Sequence, residues 1–140
     1  MRVFVPIVLA ASLASLSVTA QEATAPALTQ ERQGDIGFVS GGIGQSERAA
    51  MQSIAGDYNL RLMFAVRPSG EFLAGVAVTL ADANGRTVLD TIANGPLFYA
   101  QVPPGRYRVT VTSDGRSEAR PIDIGRSSVA SQSFYWSKTG

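Results

Sequence analysis

The chain has 140 residues, of which 45% are hydrophobic and 16% charged, with 14 Gly, 7 Pro, no Cys and no His. That is one domain's length with too much apolar residue for wholesale disorder, and a net charge of +1 lacks the basic excess of a nucleic-acid binder. Without His or Cys the usual general base of serine and cysteine hydrolases, thiolate chemistry, disulfides and zinc-thiolate sites are all missing, which excludes most common enzyme architectures.

Met1 and Arg2 give a positive start, residues 3–16 form an apolar run relieved by Ser12 and Ser15, and Val18-Thr19-Ala20 places small residues before a cut. This layout predicts a signal peptide over 1–20, cleaved after Ala20. The run is shorter than the roughly 20 residues of a spanning helix, so no membrane span is expected after cleavage. Loss of Arg2 leaves the remainder formally neutral, and no Cys is present to carry a lipid anchor. A periplasmic or secreted product is expected. Residues 21–45 are polar and Gly-rich with no sustained period, which reads as a flexible leader. A short helix follows over 46–56: Ser46 suits the N-cap, Glu47 the first turn, Ala50, Met51 and Ile54 fall on one face, and Gly56 ends it.

From Asn59 the period becomes two. Leu60, Leu62, Phe64 and Val66 alternate with Arg61 and Arg67, which predicts one buried and one wet face. Pro68-Ser69-Gly70 turns the chain; Val76, Val78 and Leu80 form a second row, and the Asn84-Gly85 pair predicts a tight hairpin. Arg86 to Ile92 return. After Asn94-Gly95-Pro96 come Leu97 to Val102, then Pro103-Pro104-Gly105, Tyr107, Val109 and Val111, the Ser113-Asp114-Gly115 turn, Pro121 to Ile124, and Val129 to Trp136. The spacing predicts an all-β domain over 57–137, an antiparallel β-sandwich of about seven strands.

Val76-Ala77-Val78-Thr79-Leu80, Asn84-Gly85-Arg86-Thr87-Val88, Leu97-Phe98-Tyr99 and above all Val102-Pro103-Pro104-Gly105-Arg106-Tyr107-Arg108-Val109-Thr110-Val111 resemble the carboxypeptidase regulatory-like domains, small transthyretin-like β-sandwiches. The likeness covers residues 59–125. It implies a single-copy exported bacterial protein whose role is structural, or carbohydrate and protein binding, rather than catalytic. Related adhesin domains carry a Lys–Asn isopeptide bond and related enzymes use His; Lys138 is the sole Lys and no His exists, so neither property transfers. The Pro-Pro-Gly-x-Tyr stretch also has its own logic: two prolines stiffen the connection, Gly105 permits a φ that other residues resist, and Tyr107 enters the core with its hydroxyl reaching backbone.

Four groups of residues are candidates for chemistry. Gly41-Gly42-Ile43-Gly44-Gln45-Ser46 precedes a helix but lacks the spacing and the Lys of a phosphate loop. Asp57, Glu71, Asp82, Asp90, Asp114 and Asp123 lie mostly at turns and match no calcium loop. Arg61, Arg67, Arg106 and Arg108, with Arg116 and Arg120 nearby, read as solvated strand faces or an anion patch. Phe134-Tyr135-Trp136, with Phe98 expected to be exposed, is the tentative partner or carbohydrate contact, because aromatics serve both protein interfaces and sugar stacking. No catalytic, metal or cofactor residue is assigned. The expectation is a non-enzymatic exported module that binds or scaffolds a protein or envelope partner, with a carbohydrate-binding module as the alternative and a carboxylate-only hydrolase third.

Overall fold

The computed structural model describes Val3 and residues 28–137, so the expected signal peptide, its cleavage site after Ala20 and Lys138 lie outside the described residues, Val3 apart. Nine strands and one helix follow in order: β1 (Gln30–Gln33), β2 (Ile36–Gly41), α1 (Gln45–Ile54) with a 3₁₀ turn Ala55–Asp57, β3 (Leu60–Arg67), β4 (Ala77–Asp82), β5 (Thr87–Ile92), β6 (Leu97–Gln101), β7 (Gly105–Ser113), β8 (Arg116–Ile124) and β9 (Ala130–Ser137). They form a five-stranded sheet, order β1-β2-β6-β3-β9, facing a four-stranded sheet, order β5-β4-β7-β8. The fold is the expected β-sandwich. One pairing departs from the antiparallel expectation: β3 and β9 run parallel, because the chain leaves β8 and crosses to the opposite sheet.

The seven expected strands are β3 to β9. The other two, β1 and β2, come from the segment read as flexible leader. Their hairpin turns on Gly34-Asp35, and Ile36 and Phe38 enter the core, too brief an alternation to register as a period. Pairing of β2 with β6 holds them in place.

Inward rows from both sheets make the main core: Phe38, Leu62, Phe64, Phe98 and Phe134 of the first against Val78, Leu80, Val109 and Val111 of the second. A second cluster lies outside the sandwich, where Met51 of α1 covers Val39, Tyr58 and Tyr99. Consequently β6 is buried on both faces, with Phe98 at 0% and Tyr99 at 5% exposure, and Phe98 stacks on Phe38 at 5.8 Å. The expected exposure of Phe98 is therefore corrected. Arg61 is half-buried rather than wet, its Nε donating to Ala55 O at the end of the helical segment.

Three local expectations also shift. The helix starts one residue early, with Gly44 rather than Ser46 at the N-cap, and Glu47 Oε1 accepts the Gly42 N–H at 2.9 Å. That carboxylate stands where an anion bound by the preceding glycine loop would have to sit. At the β4–β5 hairpin Gly85 alone takes a positive φ, 80°, while Asp82 Oδ1 accepts the N–H groups of Asn84 and Arg86. The loop is longer than a two-residue turn, with Gly at its left-handed position. Further along, Gly105 has φ 156° and the Tyr107 hydroxyl donates to Pro103 O at 2.7 Å, as the Pro-Pro-Gly-x-Tyr stretch suggested, though the ring is half-buried rather than fully in the core.

Candidate functional site

The open sides of a sandwich expose strand edges that invite unwanted pairing. Here both seams are closed by side chains. On one side the Gln33 amide exchanges two hydrogen bonds with the Asp90 backbone of β5, 2.9 and 3.0 Å, and Ser40 Oγ accepts the Asn94 N–H. On the other, β8 reaches β9: Arg116 Nη1 donates to Ser137 O at 2.8 Å and Arg120 Nη1 to Ser133 O at 2.9 Å. Arg120 also pairs with Glu118 at 2.7 Å and lies 4.3 Å over the Phe134 ring. The outer edge of β8 carries Pro121, opposite Arg108, whose missing N–H weakens strand addition there.

β9 is one of the two edge strands of the five-stranded sheet. Phe134 at 0% and Trp136 at 6% exposure point into the core, forming a triangle with Phe64 at centroid distances of 6.2 to 6.4 Å, and the Trp136 indole N–H donates to Arg116 O. Neither ring is a surface platform. Period-two geometry forces this, because inward rows on one strand alternate with outward ones. Tyr135, at 36% exposure, remains the one outward aromatic of the four singled out in the sequence.

Tyr135 does not stand alone. It is opposite Ala65 of β3, and Ala65 in turn is bridged to Phe72, so the three residues form one row across the outer face. Phe72 is 47% exposed. Arg67 lies 4.6 Å over the Tyr135 ring and Arg48 of α1 lies 5.2 Å over the Phe72 ring. Among the described residues neither guanidinium forms an ion pair. Beyond Phe72 a depression of about 380 Å³ at the end of the sandwich is lined in part by Glu71, Asp114, Arg116 and Trp136.

Phe72 and Arg48 escaped the sequence reading: Phe72 lies between the Pro68-Ser69-Gly70 turn and the row that begins at Val76, and Arg48 flanks the apolar face of a short helix, three residues before Met51. The available signal was Phe72-Leu73, an apolar pair inside a Gly-rich connection. The arginines considered together in the sequence divide between faces. Arg106 pairs loosely with Asp123, 3.6 Å apart on the four-stranded sheet, and Arg120 is locked in the seam. The carboxylates are likewise dispersed, and no group of three or more that could hold a metal occurs among the described residues.

Three tyrosines have hydroxyls pushed above the ordinary value of 10.0, chiefly by burial: Tyr58, with Asp57 adding to the effect, Tyr99, with Arg61 opposing it, and Tyr107, with Asp82 adding. Burial disfavours the phenolate. Tyr107 thus keeps the proton it donates to Pro103.

No helix among the described residues is long and apolar enough to cross a membrane. The fold and surface define a two-sheet β-sandwich with stapled seams and one arginine-topped aromatic row. No family model matches the chain, and no curated protein matches it either.

Proposed function

We propose that this chain is an exported, non-enzymatic β-sandwich module of the carboxypeptidase regulatory-like kind, which binds a protein partner in the cell envelope or outside the cell through the outer face of its five-stranded sheet. The observation that carries the reading is the row Phe72-Ala65-Tyr135 beside an edge strand, with a guanidinium over each outer ring. Aromatic and Arg side chains are the residues enriched at the energetic centres of protein interfaces. The amino-terminal layout of residues 1–20 supports export, and the absence of His and Cys supports a binding role over catalysis.

Sugar stacking is less favoured by this geometry. It relied on Trp136 and its neighbours, yet Trp136, Phe134 and Phe98 are buried, and Arg67 covers a face of Tyr135. The experiment is a photo-crosslinking amino acid introduced at position 135, and separately at position 106 on the other sheet, in cells making the protein. A discrete adduct from position 135, absent from 106 and lost on Phe72→Ser, is expected. Equal adducts from both positions, or none from 135, would overturn the reading.

A further inference from the structure

Resting on that reading, we infer that the partner presents an acidic peptide segment, whose carboxylates bind Arg48 and Arg67 and whose apolar side chains lie between Phe72 and Tyr135. The inference starts from how the two guanidiniums are held. The guanidinium carbon of Arg48 lies 5.2 Å from the Phe72 ring centroid and that of Arg67 4.6 Å from the Tyr135 centroid, and a guanidinium attracted to a ring face keeps its N–H donors for a further partner. The Arg67 side chain makes no hydrogen bond among the described residues, and the Arg48 side chain makes one long contact, Nη1 to Gly42 O at 3.4 Å. Such a fork matches the two oxygens of a carboxylate.

The spacing suits a chain rather than a single anion. Phe72 and Tyr135 are separated by Ala65 across two strand spacings, about 10 Å, with the small Ala65 as the floor between them. Both rings keep exposed apolar area.

The edge of β9 points the same way. Ala130 N–H donates to Asn59 O, so alternate residues from Ser131 to Ser137 turn their backbone groups to the free edge. Two of the carbonyls there, Ser133 and Ser137, already accept from Arg120 and Arg116. What the edge still offers is weighted towards N–H donors, which discourages a regular added strand and favours a ligand rich in acceptors. A peptide with alternating carboxylates and apolar side chains brings carboxylate oxygens, backbone carbonyls and hydrophobic area together. The face is complementary in charge to that ligand although the mature chain as a whole is expected to be neutral.

The probe is a short fluorescein-labelled peptide in which Glu alternates with Leu, titrated into the purified protein by anisotropy, beside a counterpart in which Gln replaces Glu. Saturable binding of the Glu peptide alone is expected. It should weaken at least about tenfold as salt rises from about 0.1 to about 1 M, because the screening length contracts from about 10 to about 3 Å. The double variant Arg48→Gln, Arg67→Gln should lose about tenfold in affinity. The control Arg106→Gln, Arg108→Gln carries the same charge change on the other sheet and should bind as the parent does. Tyr135→Ser serves as a second disabling variant, with urea midpoints confirming that every variant folds.

Equal losses in both arginine pairs would reduce the effect to general charge and overturn the inference. So would displacement of the peptide by polygalacturonate or by phosphatidylglycerol vesicles at matched charge, which would assign the face to an acidic glycan or a lipid surface. Absence of peptide binding while the position-135 adduct persists refutes the acidic-peptide chemistry and leaves the docking function standing. Peptide binding without any such adduct refutes the docking function alone.

Discussion

Truncating the two adjacent aromatics of β9 separates core from surface on one strand. Trp136 is 6% exposed, packs on Phe64 and Phe134 at centroid distances of 6.2 and 6.4 Å, and gives its indole N–H to Arg116 O. Trp136→Ala leaves a cavity beside two phenylalanines and a carbonyl without its donor. Aromatic truncations of this kind cost about 3 to 5 kcal/mol. Against a total stability of about 5 to 15 kcal/mol, that is a large share of what holds the domain folded. Tyr135, one residue away, has 36% exposure and loses chiefly its contact with Arg67, so Tyr135→Ala should cost about 0.5 to 1 kcal/mol. Equilibrium urea unfolding followed by far-ultraviolet circular dichroism reads both, with the m-value checked for constancy so that midpoint shifts report stability. The Trp136 variant must show the much lower midpoint. If Tyr135→Ala is the worse of the two, the strand is turned over by one residue and every inward assignment on β9 reverses.

Gly95→Ala should be costly, because a Cβ there would fall inside the backbone of Gly41 where the β5–β6 loop crosses the end of β2; a loss of about 3 kcal/mol by urea midpoint is expected, and a neutral variant would refute this close approach. Stability should also fall in alkali. Tyr58, Tyr99 and Tyr107 hold their protons above 10.0 when folded, so the unfolded chain ionises first, and their contribution is complete below about pH 10 and lost as pH rises through the folded values. A midpoint that stays level or rises above pH 10 would contradict this; Tyr107→Phe should lessen the alkaline fall while costing about 1 kcal/mol at neutral pH through its lost bond to Pro103 O.

Period-two alternation was enough to assign the buried rows of β3, β4 and β7, since Leu60, Leu62, Phe64, Val78, Leu80, Val109 and Val111 are all in the core. Turn chemistry located the Asp82 to Arg86 turn, though not its length, and the Pro103 to Tyr107 corner, because those hydrogen bonds close within a few residues. The short helix was legible from its apolar face, Met51 being the buried contact. These features are local, and local sequence determines them.

What joins distant segments was decided only by tertiary structure. The polar strand β1 and the brief β2 carry too few apolar residues to announce themselves; they are strands because β6 offers an unpaired edge and Gln33 meets the Asp90 backbone across the seam. The same distance hides which aromatics are free. Phe98 is buried because its side of β6 faces the second sheet, and Tyr99 on the other side because α1 covers it, while Phe72 and Tyr135 come into one row only because β3 takes β9 as a parallel partner and the 68–76 connection folds back beside it. Strand partners are chosen by the summed burial of whole faces, a quantity that belongs to the assembled sheets and that no window of neighbouring residues contains.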